Sequence, residues 1–125
     1  MAQSATKPVE PVAIEAVAMV IDRSHLAHMT LGDRNLEREV LQLFEQQAEL
    51  LIARMRANEP PAVAALAHTL KGSAMGVGAA NVARAAAATE LACAADAPEC
   101  AVAIDRLAAT LEETRATIAA LLRAH

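Results

Sequence analysis

The fold and the function are best interpreted from one stretch of the sequence, Leu66-Ala67-His68-Thr69-Leu70-Lys71-Gly72-Ser73-Ala74. Pro60-Pro61 precedes it at the spacing that opens a helix, because the first helical turn does not need the N–H group that proline lacks. Gly76-Val77-Gly78 follows it and can end that helix. We therefore predict a helix from about residue 62 to residue 75.

This predicted helix has two different sides when its residues are placed at about 100° intervals. One side is aliphatic, and His68 points away from it. A histidine of the protein core would lie on the aliphatic side, so we expect an exposed imidazole with small and cationic neighbours. The aliphatic side comprises Val63, Leu66, Ala67, Leu70, Ala74 and Val77, whereas Ala64, Lys71, Gly72 and Met75 share the side of His68.

The composition favours one small helical domain. The 125 residues are 55% hydrophobic, with many alanines and a single aromatic residue, Phe44, and alanine is the best helix former. The net charge of −4 does not suggest nucleic-acid binding. We see no apolar run long enough to cross a bilayer and no leader segment. We expect the protein to be soluble and cytoplasmic. We also expect a monomer, because the exposed faces look polar, and no bound cofactor.

The sequence contains one pair of cysteines and one pair of neighbouring histidines that could be metal ligands or redox groups, but neither pair predicts such a site. Cys93 and Cys100 fit no zinc pattern and are too few for a disulfide framework, so we expect buried free thiols in a reducing compartment, with a redox switch as the less favoured alternative. His25 and His28 could form half of a metal site, but the sequence offers no second pair. No metal site is therefore predicted.

The order of elements along the chain predicts an antiparallel up-and-down four-helix bundle with a short extra N-terminal helix, which is an all-α fold. Residues 1–21 form a partly flexible N-terminal arm, and residues 22–125 form the bundle domain. Asp22 is predicted to cap the short helix, Asp33 the first long helix and Asp96 the last.

Apolar residues recur at helical spacing in the three other long helices. In the third long helix, over residues 79–95, we expect Val82, Ala86 and Leu91 to face inward. The recurring residues are Leu36, Val40, Leu43, Phe44, Leu51 and Met55 over residues 35–57, and Ile104, Leu107, Leu111, Thr114, Ile118 and Leu121 in the last helix.

The surroundings of His68 suit phosphoryl transfer. A neutral exposed imidazole has a nitrogen lone pair that can attack phosphorus. Lys71, at i+3, can offset the added negative charge. Gly72, at i+4, costs about 1 kcal/mol relative to alanine in a helix, and its missing side chain leaves room for a second protein.

These residues resemble the signature of histidine-containing phosphotransfer (HPt) domains. The resemblance rests on His68-Thr69-Leu70-Lys71-Gly72-Ser73-Ala74 and continues into Val77-Gly78-Ala79. It implies that His68 is the phosphoacceptor, through Nε2, that Lys71 supports the phosphoryl group electrostatically, and that Gly72 makes room for the partner.

The resemblance also implies a place in a phosphorelay. His68 would accept a phosphoryl group from the aspartate of one receiver domain and pass it to another receiver domain. The expected partners are receiver domains of response regulators and a hybrid sensor histidine kinase. Mg²⁺ would belong to the partner receiver domain. We expect Ala64, Gly72 and Met75 to contact the partner. Two alternatives stay open: the phosphotransfer domain of a chemotaxis-type histidine kinase, and a helical interaction module that is not phosphorylated.

Overall fold

The computed structural model describes residues 20–95 and 97–124, except for the side chains of residues 97 and 124. Within this part the chain forms five helices and no strand. They are α1 (Arg23–Thr30), α2 (Arg34–Arg56), α3 (Pro60–Val77), α4 (Ala80–Ala95) and α5 (Ala97–Ala124). Helices α2 and α4 each pack against α3 and α5, so α2 and α4 lie on opposite sides of the bundle. The predicted four-helix bundle with a short preceding helix is confirmed.

The helix ends follow the local sequence signals. Asp22 and Asp33 accept hydrogen bonds from the backbone N–H groups of His25 and Leu36, as expected of N-caps. Pro60 opens α3, but this helix continues through Gly76, and Gly78 ends it in a left-handed conformation with φ of 78°. The prediction that the helix ends at Met75 was therefore too short. The predicted Asp96 cap lies outside the described residues.

Gly78 also joins α3 to the start of α1. Its carbonyl accepts a hydrogen bond from the backbone N–H of Asp22 at 2.8 Å. A Cβ atom at position 78 would lie 3.0 Å from the Asp22 carbonyl oxygen, so glycine suits both the positive φ and the close approach. The predicted arm over residues 1–21 lies outside the described residues apart from Val20 and Ile21, and Ile21 is fully buried.

The core consists of aliphatic residues and alanines from all four long helices. Fully buried alanines at positions 48, 67, 74 and 86 let neighbouring backbones approach closely. Phe44 is the only aromatic residue of the chain and is also buried. In α5 the predicted positions are buried from Ile104 to Ile118, whereas Leu121 is half-buried and packs at the edge of the core.

Three leucines from the apolar positions of the predicted helices are exposed, and one of them, Leu91, was predicted to face inward. In α4, Leu91 is 74% exposed because it lies half a turn away from the buried Val82 and Thr89. Thr89 occupies a core position because its hydroxyl donates a hydrogen bond to the Ala85 carbonyl. In α2, Leu36 and Leu43 are exposed, and the buried residues of that helix are Leu41, Phe44, Ala48, Leu51, Ile52 and Met55.

The two cysteines form a disulfide bond, which corrects the prediction of free thiols. Cys93 lies near the end of α4 and Cys100 near the start of α5, with their Cα atoms 4.4 Å apart. Both residues are buried, as expected. Spacing alone did not reveal the pairing, because it depends on how the ends of two antiparallel helices meet.

Candidate functional site

His68 lies in the middle of α3 on the side away from the core. Its neighbour Ala67 and the following Leu70 are fully buried, whereas the His68 side chain is 66% exposed. The aliphatic positions of α3 therefore fix the helix so that the imidazole faces solvent. This is the orientation that the helical spacing predicted.

Glu90, on the neighbouring helix α4, contacts both polar side chains of the site. Its Oε2 atom lies 3.1 Å from Nδ1 of His68, and its Oε1 atom accepts a hydrogen bond from Nζ of Lys71 at 3.3 Å. One carboxylate thus joins the imidazole and the ammonium group across the α3–α4 interface. All three side chains are at least partly exposed.

The contact with Glu90 determines which imidazole nitrogen is free. Partial burial alone would raise the pKa of the Glu90 carboxyl, but the hydrogen bond and charge of Lys71, together with His68, lower it below its ordinary value. An ionised carboxylate only accepts hydrogen bonds, so Nδ1 of His68 donates its proton to Glu90. In the neutral imidazole this leaves the lone pair of Nε2 free and directed away from Glu90.

The residues predicted to surround His68 differ in exposure. Gly72 is exposed, and an added Cβ would meet no atom within 4 Å, so nothing inside the chain requires a glycine there. Met75 is 60% exposed and Lys71 about one-third exposed. Ala64 is half-buried and packs against the core, and it therefore offers less surface than the others.

A shallow groove extends from this site along the junction of α3 and α4. Ala83 and Ala87 of α4 line it together with Lys71 and Met75 of α3. His25 also lines the groove, and its ring donates a hydrogen bond from Nε2 to the Gly76 carbonyl, with 3.0 Å between the two atoms. The groove is therefore largely apolar, and a few polar side chains also line it.

Sequence reasoning missed Glu90. Helical spacing predicts contacts only within one helix, and Glu90 lies 22 residues after His68 on a different helix. One signal was available, since Glu90 is the only acidic residue between Ala80 and Ala95. The hydroxyl of Thr69, by contrast, donates to the Ala65 carbonyl within α3 and does not face the imidazole.

The described residues contain no group of three or more histidine, cysteine, aspartate or glutamate side chains that could hold a metal ion. His25, which was considered as half of a metal site with His28, instead binds the end of α3. None of the described helices is long and apolar enough to pass through a membrane.

Comparison with known proteins gives the same family as the sequence motif. The model of the family called Hpt domain matches residues 39–117. The fold is similar to the X-ray structure of a rice protein assigned to histidine-containing phosphotransfer, with a TM-score of 0.76 and 19% sequence identity, covering 98% of this chain and 95% of the rice chain. No curated protein is significantly similar in sequence. Because the family model matches more than half of the sequence, the chain belongs to the Hpt domain family, whose members carry phosphoryl groups on histidine in phosphorelays.

Proposed function

We propose that Nε2 of His68 accepts a phosphoryl group from the phosphorylated aspartate of a receiver domain and passes it to the aspartate of a second receiver domain. The observation that carries this proposal is the arrangement of the exposed imidazole. Its Nδ1 atom is hydrogen-bonded to Glu90, and the side chain as a whole is 66% exposed. A second protein can therefore reach the one nitrogen that has a free lone pair.

The transfer step needs little from this chain beyond the nucleophile and its position. The Nε2 lone pair attacks phosphorus in line with the aspartyl oxygen, a bond from nitrogen to phosphorus forms, and the phosphorus–oxygen bond to the aspartate breaks. The aspartate leaves as a carboxylate. The return step, onto another aspartate, is the reverse. Such reactions depend mainly on positioning and on charge stabilisation.

Glu90 and Lys71 have complementary roles in this proposal. During the attack the imidazole gains positive charge, and the Glu90 carboxylate that accepts the Nδ1 proton stabilises that charge. The same carboxylate would repel the incoming phosphoryl oxygens. Lys71, which is bound to Glu90 at 3.3 Å, reduces that repulsion and lies one helical turn from the imidazole, within reach of the phosphoryl group.

The partner surface in this proposal consists of the exposed side of α3. Gly72 allows close approach, and Met75 supplies an apolar contact, with Ala64 at the margin. The partners are receiver domains of response regulators and of a hybrid sensor histidine kinase. Mg²⁺ belongs to the receiver's own site in this scheme, and the present chain contributes no cofactor.

The test replaces the nucleophile. His68→Gln should abolish uptake of phosphoryl from a phosphorylated receiver domain, because the amide has no comparable nucleophilic nitrogen, and helical circular dichroism should be unchanged because the side chain is exposed. His28→Gln, at another exposed histidine, is the matched control and should transfer normally. Acid-labile label on the His68→Gln variant would refute the assignment.

A further inference from the structure

Helix α2 carries three exposed leucines on its outer face. Leu36, Leu43 and Leu50 are 40%, 64% and 53% exposed and are spaced seven residues apart, which is about two helical turns. They form a row along a helix of 23 residues, about 35 Å long. We call this row the α2 leucine stripe. The prediction of a monomer assumed polar exposed faces, and the α2 leucine stripe does not meet that condition.

Two unpaired charges of opposite sign flank the α2 leucine stripe. Glu39 lies towards the start of α2 and Arg54 towards its end, both exposed and both within about 40° of Leu43 around the helix. In the described part of the chain neither side chain forms an ion pair. Arg56, by contrast, binds Asp105 on α5 at 2.8 Å.

The positions of four of these groups match a two-fold arrangement of two antiparallel α2 helices, and Leu36 lies outside the paired set. If the axis passes between Gln46 and Gln47, Leu43 and Leu50 lie equally far from it, so each leucine meets the other in the second copy. Glu39 and Arg54 are also equidistant from the axis, so Glu39 of each copy can form an ion pair with Arg54 of the other copy. Isologous dimers need such self-complementarity, because each residue pair must occur twice.

We propose that the chain forms a homodimer through the α2 leucine stripe, with the two α2 helices antiparallel. Leu43 and Leu50 provide the buried apolar centre, Glu39 and Arg54 select the register, and the exposed amides of Gln46 and Gln47 lie at the axis. Apolar contacts between the leucines on both sides of the axis, together with charges at the rim, are compatible with a reversible dimer.

The dimer leaves the phosphotransfer site open. His68 contacts α4 through Glu90, and α4 lies on the opposite side of the bundle from α2. A second copy on α2 therefore does not cover the imidazole, and the proposal does not depend on the function proposed for His68. Failure of one proposal would leave the other unaffected.

The first test measures the mass of the full chain by sedimentation or light scattering over a range of micromolar concentrations. The mass should rise from that of the monomer to twice that value, and Leu43→Lys should weaken association by about 100-fold or more, because it places two buried charges at the interface centre. Leu91→Lys, at an exposed leucine of α4, is the matched control and should dimerise normally. A mass that stays monomeric, or equal effects of the two variants, would overturn the proposal.

The second test determines the register by charge reversal. Glu39→Arg and Arg54→Glu should each weaken the dimer, because each places like charges opposite one another twice. The double variant restores opposite charges and should regain most of the lost affinity. If the double variant loses as much dimer affinity as the two single variants lose together, the antiparallel pairing of these residues is wrong.

Discussion

Glu90 is the residue that gives the imidazole of His68 a defined chemical state. Free histidine in water can carry its proton on either nitrogen. The contact of 3.1 Å between Nδ1 and Glu90 favours the form in which Nε2 is unprotonated. The same carboxylate is held ionised by Lys71, since the lysine contributes to the lowered pKa of Glu90. The three side chains therefore act together, although only His68 and Lys71 belong to the sequence motif.

Glu90→Gln should slow phosphoryl uptake by about tenfold, because the amide can donate as well as accept and no longer fixes the proton on Nδ1. The single-turnover rate against a phosphorylated receiver domain measures this effect. The slower uptake should persist when the receiver is saturating, since the change affects the nucleophile and not docking.

Glu99→Gln, at an exposed carboxylate of α5, is the matched control and should transfer at the normal rate. If Glu90→Gln and Glu99→Gln were equally active, the positioning role of Glu90 would be wrong.

Helix α3 presents its two sides to two different environments. Its aliphatic side fixes it in the bundle, and its other side combines the imidazole with a glycine that no internal contact requires. Glycine in place of alanine lowers the stability of a helix by about 1 kcal/mol. This lower stability at position 72 is explained if a partner approaches the helix closely at this point.

Gly72→Gln should reduce phosphoryl transfer strongly, by about 100-fold, because the longer side chain occupies the approach to His68. It should not reduce stability, since glutamine is the better helix former and the position is open. Transfer rates and urea midpoints measured on the same samples separate the two effects.

Ala116→Gln, at an exposed alanine of α5, controls for the introduction of glutamine and should leave transfer unchanged. Normal transfer by Gly72→Gln would remove the steric explanation for the glycine.

The end of α4 is joined to the start of α5 by the Cys93–Cys100 disulfide bond. Closing a loop of this length restricts the unfolded chain, which corresponds to about 2–3 kcal/mol of stability. Reduction should therefore lower the urea midpoint of unfolding, and the Cys93→Ala, Cys100→Ala double variant should not respond to reductant. A midpoint that is the same with and without reductant would contradict this prediction.

At the scale of the whole molecule, the sequence contained enough information to predict the bundle. Prolines, glycines and aspartates at helix ends are local signals, and they located the helices to within a few residues. The exposure of His68 was predictable as well, because the aliphatic side of one helix determines where its other side faces. Local chemistry and helical geometry are sufficient for these features.

Features that depend on contacts between helices were not predictable in the same way. The Cys93–Cys100 bond and the contact of Glu90 with His68 each join residues of two helices. The exposure of Leu43 and Leu91 has a related cause. Alternative apolar residues were available on each helix, and only the packing of neighbouring helices determined which of them entered the core.

The most direct test of the proposed function is to locate the phosphoryl group on the wild-type chain. After incubation with a phosphorylated receiver domain, phosphorus–proton NMR can distinguish phosphorylation on the two imidazole nitrogens. We predict one phosphorylated residue, His68, modified on Nε2. Phosphorylation on Nδ1 of His68, on another residue or on none would contradict the account.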